Sequence, residues 1–155
     1  MGFLCRQRHA GFESTRIWML RPVVSEIMEP VSDRMPNDVL IVEDDPIIAL
    51  DFEDTILGFG VKTVRTAGSV ARALDMIADR VPDFALLDVG LVREKSFAIA
   101  ERLDALKIPF AFVTGYGADV RLPAAFAQRP RLPKPHSTDA LQAVLKRRHD
   151  GSGKP

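Results

Sequence analysis

Phe84-Ala85-Leu86-Leu87-Asp88-Val89-Gly90 sets one carboxylate near the end of a run that is otherwise wholly apolar. So short and continuous an apolar run suits a strand buried on both faces, which is the habit of parallel sheets covered by helices. An unpaired carboxylate in such surroundings is costly, so Asp88 needs a partner or an open rim. The bland alternative is that it caps the following loop.

The neighbouring segments repeat the pattern. Val39 to Glu43 (VLIVE) is a second buried strand. Pro46 then stands where a first-turn proline is tolerated, and Ile47, Ile48, Leu50, Phe52, Ile56 and Leu57 form a helical band that ends at Gly58 or Gly60. Val61 to Ala67 alternates and is rich in β-branched residues, as a strand should be. Ser69 caps a helix with the stripe Val70, Ala73, Leu74 and Ile77. Ser96 to Lys107 has helical spacing, Pro109 to Val113 is a fourth strand, and Ala118 to Gln128 reads as a helix weakened by Pro123. Arg131 and Leu132 form a short fifth strand between Pro130 and Pro133, and Thr138 to Arg148 closes with a helix. Five strand–helix repeats predict an α/β fold, a doubly wound five-stranded parallel sheet of the flavodoxin-like kind.

Function in such sheets gathers at the carboxyl ends of the strands. Those ends carry Glu43-Asp44-Asp45, Asp88, Thr114-Gly115 and Lys134-Pro135. Carboxylates converging on one rim repel each other unless a cation neutralises them, and an all-oxygen set suits Mg²⁺. Lysine is a compact charge for a phosphate oxygen, threonine a hydroxyl donor, and a carboxylate can be the nucleophile of phosphoryl transfer. Each element also has an ordinary reading, as a helix cap, a turn or a solvated loop lysine. Their joint occurrence at four strand ends is what points to chemistry, while Asp45 reads as a helix cap.

Lys plus Arg and Asp plus Glu both number 21, so the chain has no net charge with which to grip nucleic acid or anionic lipid in bulk. No run approaches the roughly 18 apolar residues of a membrane span. Cys5 is the single cysteine, which excludes an internal disulfide and sets a cytoplasmic expectation. Residues 1–37 read as a poorly ordered extension, with a short helix near Val23 to Met28 or a true start at Met28 or Met35 as alternatives. The body is expected over 38–149 and a flexible tail over 150–155.

The motifs LIVEDD, ALLDVG, FVTGYG and LPKP together resemble the CheY-like receiver domain of two-component response regulators, over about Asp38 to Arg148. The resemblance implies that Glu43 and Asp44 bind Mg²⁺ together with Asp88 and the backbone carbonyl of Gly90. It makes Asp88 the phosphoacceptor, Thr114 the switch hydroxyl, Lys134 the phosphate-binding lysine, and the Lys134–Pro135 peptide cis. It implies a phosphoryl donor that is a histidine kinase or histidine phosphotransfer protein, a downstream protein target, and no turnover of an external substrate. The stretch Pro109 to Tyr116 is similar to the FAT GUY receivers of alphaproteobacteria, often single-domain partners of HWE-type or related kinases. Homodimerisation stays open.

Three departures accompany the resemblance. Arg131 occupies the position of the usual aromatic switch residue, so Tyr116 or reordering of the Ala118–Gln128 helix is the expected substitute. Gly90 replaces a side chain that often tunes phosphate lifetime. Arg93, Glu94 and Lys95 follow as a loop surface that either reads a partner or is merely solvated. Rival chemistries fit less well. A haloacid-dehalogenase-type phosphatase needs a second Asp where Gly90 stands, and a dinucleotide site or P-loop needs glycines where Glu43-Asp44-Asp45-Pro46 would repel phosphate. No DNA-binding module is expected, and output would run through protein contact or through draining phosphate from a shared kinase. The remaining alternative is a receiver-like interaction module that is never phosphorylated.

Overall fold

The computed structural model describes residues 34–91, 95–115 and 121–146. The elements are β1 (Asp38–Val42), α1 (Pro46–Gly58), β2 (Thr63–Ala67), α2 (Val70–Asp79), β3 (Phe84–Asp88), α3 (Phe97–Ala105), β4 (Phe110–Thr114), a 3₁₀ turn (Ala124–Phe126), β5 (Arg131–Pro133) and α4 (Thr138–Lys146). All five strands are parallel, in the order β2-β1-β3-β4-β5. The chain leaves β1 for one edge, then returns to lay β3 on β1's other side, so the switch in strand order lies between β1 and β3.

Strand alternation divides the core into two layers. Leu40, Val42, Ala85, Leu87, Phe110 and Phe112 face α2 and α3, where Ala73, Ile77, Ile99 and Leu103 meet them. Val39, Ile41, Phe84, Leu86, Val113 and Leu132 face α1 and α4, against Phe52, Ile56, Leu141 and Leu145. Burial of β3 along its whole length accounts for its unbroken apolar spelling.

The caps are local chemistry. Asp45 accepts hydrogen bonds from the Ile47 and Ile48 amides at 2.9 and 3.3 Å, with Pro46 opening α1, in line with its reading as a cap. Gly60, at φ 92°, takes the left-handed conformation that lets the chain turn into β2. Ser69 accepts from the Arg72 amide to start α2, and Ser137 accepts from the Ala140 amide at the start of α4.

One expected helix is corrected. Of the Ala118–Gln128 segment, residues 118–120 lie outside the described residues, and the remainder forms only the 3₁₀ turn at Ala124–Phe126. Pro123 is the cause: its own backbone is extended (φ −51°, ψ 146°), it has no N–H for a helical bond, and it disfavours a helical Leu122. Phe126 anchors the turn instead, its ring 5.9 Å from Phe110 and 6.0 Å from Phe112. Arg129 lies over Phe110 and pairs with Asp104 of α3. The described residues therefore carry four α-helices. No described helix is long and apolar enough to cross a membrane. The extension read over residues 1–37 lies outside the described residues up to residue 33, as do Arg93, Glu94 and the tail.

Candidate functional site

The alternation that builds the core also decides which polar side chains meet. Val39 and Ile41, Phe84 and Leu86, and Leu132 all face the α1/α4 layer. Counting on by two along each strand brings Glu43, Asp88 and Lys134 to the same side of the carboxyl rim. There Lys134 Nζ donates to Glu43 Oε2 and to Asp88 Oδ2, each at 2.8 Å. Thr114 has the opposite parity, after Phe110 and Phe112. It joins the site through its carbonyl, which accepts from the Lys134 amide at 2.8 Å. The Lys134–Pro135 peptide is cis.

Two backbone amides complete the carboxylates. The Asp45 N–H donates to Glu43 Oε1 at 3.1 Å, and the Gly90 N–H donates to Asp88 Oδ1 at 2.7 Å. These bonds satisfy one oxygen of each group while Lys134 takes the other.

The electrostatics separate the two carboxyl groups. Glu43 and Asp88 are only 4% and 6% exposed. Burial pushes Glu43 up; Lys134 and the Asp45 amide pull it down, Asp88 pushes it further, and it arrives at about 7 from an ordinary 4.5. Burial also pushes Asp88 up, but hydrogen bonds from Lys134, Glu43 and the Gly90 amide outweigh it and hold Asp88 below its ordinary value. Asp88 is thus the ionised member near neutrality. Burial disfavours the Lys134 ammonium, yet Asp88 and Glu43 more than compensate and raise it.

Asp44 joins them: one oxygen from each of Glu43, Asp44 and Asp88 lies within 4.8 Å of the others. An all-oxygen cluster of this kind fits a hard divalent cation such as Mg²⁺.

Glu43, Asp44, Asp88 and Lys134 are therefore brought together, with Gly90 adjoining through its amide. Tyr116, the expected substitute switch, lies outside the described residues. Arg131 is exposed on β5, away from the core. Two features went unread in the sequence. One is the Gly90 amide as a hydrogen-bond donor to Asp88, a backbone group that the residue type does not mark. The other is His136, whose ring stacks on Phe52 at 4.4 Å between centroids and 4° between planes. Nothing local in the sequence marks that contact.

A parallel sheet of this strand order, with acidic groups and a lysine meeting at its carboxyl rim, is the arrangement expected of a receiver domain. No family model matches the chain. The polar-differentiation response regulator DivK of Brucella anthropi is 34% identical over 86 residues, 53% of this chain and 69% of DivK. The phyllosphere-induced regulator PhyR of Methylorubrum extorquens is 28% identical over 100 residues, 63% of this chain. The chain spans 38% of PhyR and 34% of the sensory transduction protein LytT of Enterococcus faecalis, to which it is also similar. Among solved structures, SdrG from Sphingomonas melonis Fr1 has 42% sequence identity and a TM-score of 0.63, covering 70% of this chain and 92% of SdrG. A BeF3-activated conformation of SdrG from Pseudomonas melonis Fr1 has 39% identity and a TM-score of 0.61. The chain belongs to the response-regulator receiver domains of two-component signalling. Its kinship with SdrG agrees with the FAT GUY-type reading of its fourth strand. Its relatives are signalling proteins rather than conventional enzymes.

Proposed function

We propose that this receiver accepts a phosphoryl group on Asp88 from a phosphohistidine, carried by a histidine kinase or a histidine phosphotransfer protein. The observation that supports this most is Lys134 Nζ, held 2.8 Å from both Asp88 and Glu43 at the strand-order switch. Asp88 sits below its ordinary pKa, so it needs no base before it acts. A carboxylate oxygen of Asp88 attacks phosphorus in line, and the phosphorus–nitrogen bond breaks with its electron pair remaining on the imidazole. The Gly90 amide, bonded to Oδ1, fixes the carboxylate plane. Lys134 is placed to follow the charge onto a phosphoryl oxygen, and Thr114 would offer its hydroxyl to another.

Glu43, Asp44, Asp88 and the Gly90 carbonyl would hold Mg²⁺. When bound, the ion would offset the negative charge of the carboxylates and of the phosphoryl oxygens.

A protein donor needs a surface beside the site. Of the four large apolar side chains exposed among the described residues, Ile47, Leu50 and Leu57 lie on α1, and Ile47 is 78% exposed just beyond the acidic cluster. Such a patch on the helix that follows Asp44 and Asp45 suits a partner that must bring its histidine to Asp88. A kinase of the HWE or related type, a downstream protein target or a phosphate-sink role, and residence in the cytoplasm complete the reading.

Acetyl phosphate, with and without Mg²⁺, tests the chemistry by intact mass. The expected result is a Mg²⁺-dependent gain of one phosphoryl group that Asp88→Asn abolishes. Beryllofluoride, the agent that gave SdrG its activated conformation, provides a second probe by spectral shift. Silence in both would sink the phosphoacceptor reading and leave an interaction module that is never phosphorylated.

A further inference from the structure

The role proposed for Lys134 requires one long, flexible side chain to stay between two carboxylates. A lysine stem has several freely rotating bonds, so the backbone that carries it must be held on both sides. Upstream, the Lys134 amide is bonded to the Thr114 carbonyl at 2.8 Å. Downstream, after Pro135, the first side chain to engage the body is His136. Its ring lies flat on Phe52, a residue of α1 that is 1% exposed. Next, Ser137 hands the chain to α4 through its bond with the Ala140 amide.

The stack has a particular reach. Phe52 belongs to the helix that begins directly after Glu43, Asp44 and Asp45. His136 belongs to the turn that carries Lys134. The contact therefore fastens the acidic side of the site to its basic side through two rigid groups. Asp51 of α1 and Lys134 are the charged groups that act on the imidazole. The ring's packing partner is Phe52.

From this geometry we infer that His136 is a positioning residue: stacked on Phe52, it locks the Lys134–Pro135 turn so that the lysine stays seated between Glu43 and Asp88. The inference deepens the phosphoacceptor reading and rests on it for the consequence in phosphorylation rate. The planar face of the ring is the agent, so phenylalanine should replace it and alanine should not.

The test uses the full chain as wild type, His136→Ala and His136→Phe, with circular dichroism establishing that each is folded. If the alanine variant is unfolded, His136→Leu replaces it under the same criteria. Two quantities are measured: the rate of labelling by acetyl phosphate with Mg²⁺, and hydrogen exchange at the Lys134 amide. From the worth of an aromatic pair, alanine should slow labelling about two- to tenfold and speed that exchange by a similar factor. Phenylalanine should leave both within about twofold of wild type. An alanine variant matching wild type in exchange overturns the inference, as does a phenylalanine variant that behaves like alanine. If wild type takes no label and shows no spectral shift with beryllofluoride, the phosphoacceptor reading falls, and exchange at the Lys134 amide alone decides whether His136 positions the turn.

Discussion

Replacing Glu43 by glutamine should stabilise the metal-free protein above neutral pH. The carboxyl group ordinarily titrates at 4.5 and is raised to about 7 here, chiefly by burial. A carboxyl group with a raised folded-state pKa binds its proton more tightly in the native state. Its penalty is absent below 4.5, grows as pH rises, and is complete above 7. At about 1.4 kcal/mol per pH unit, the gap between 4.5 and about 7 corresponds to about 3 kcal/mol. Glutamine keeps the shape and an acceptor for the Asp45 amide, but it weakens the bond from Lys134. That loss offsets about 1 kcal/mol, so the expected net gain at pH 8 is about 2 kcal/mol. The assay is urea unfolding in EDTA at pH 8 and pH 4.5, then at pH 8 with Mg²⁺. The gain should vanish at pH 4.5. Added Mg²⁺ should stabilise the wild type and do much less for the variant. A variant less stable than wild type at pH 8 in EDTA, or one stabilised equally by Mg²⁺, would refute the reasoning.

Other outcomes follow from the same contacts. Lys134→Ala strands two buried carboxylates and should cost about 3 kcal/mol at pH 8, with a smaller loss at pH 5, where Glu43 is protonated; chemical denaturation at the two pH values reads the difference. Burial holds His136 below its ordinary 6.5, Asp51 opposing and Lys134 assisting, so the neutral ring is the form that the fold favours. Its stabilising contribution is complete above 6.5 and is lost as pH falls, so His136→Phe should gain on wild type between pH 7.5 and 5.5 in paired thermal melts. A Cβ at Gly90 would meet Asp88 Oδ1 at 3.5 Å, an ordinary contact, so Gly90→Ala should keep folding stability within about 1 kcal/mol and keep the amide bond to Asp88; a larger loss on denaturation would show that the loop needs glycine itself.

The sheet was legible because each strand spells its own burial. VLIV and FALL are apolar at every position, and strands covered on both faces must be. The convergence of Glu43, Asp44, Asp88 and Lys134 was legible as well, since parallel topology sends every strand's carboxyl end to one rim. The helix expected over Ala118–Gln128 did not follow, because Pro123 does more than weaken it: with Pro123 extended, the described part closes only a 3₁₀ turn. Aromatic packing onto Phe110 and Phe112 places Phe126 without needing a helix. The Gly90 amide and the His136 stack were hidden for a different reason. The first is a backbone donor that any residue but proline could supply, and the second joins positions 84 residues apart in the chain (136 − 52) that no local pattern connects.

The brevity of β5 bears on how the molecule lives beside other sheets. An outer strand offers a free row of amides and carbonyls on which a foreign strand can assemble. At the β5 edge that template is only Arg131–Pro133. Proline 133 has no amide to lend, Pro130 closes the other end, and Arg131 holds a charge out into water. The same prolines that shorten the strand bring Lys134 promptly to the rim. Protection of this edge from strand-to-strand pairing and delivery of the site's cation are thus met by one five-residue spelling, Pro130-Arg131-Leu132-Pro133-Lys134.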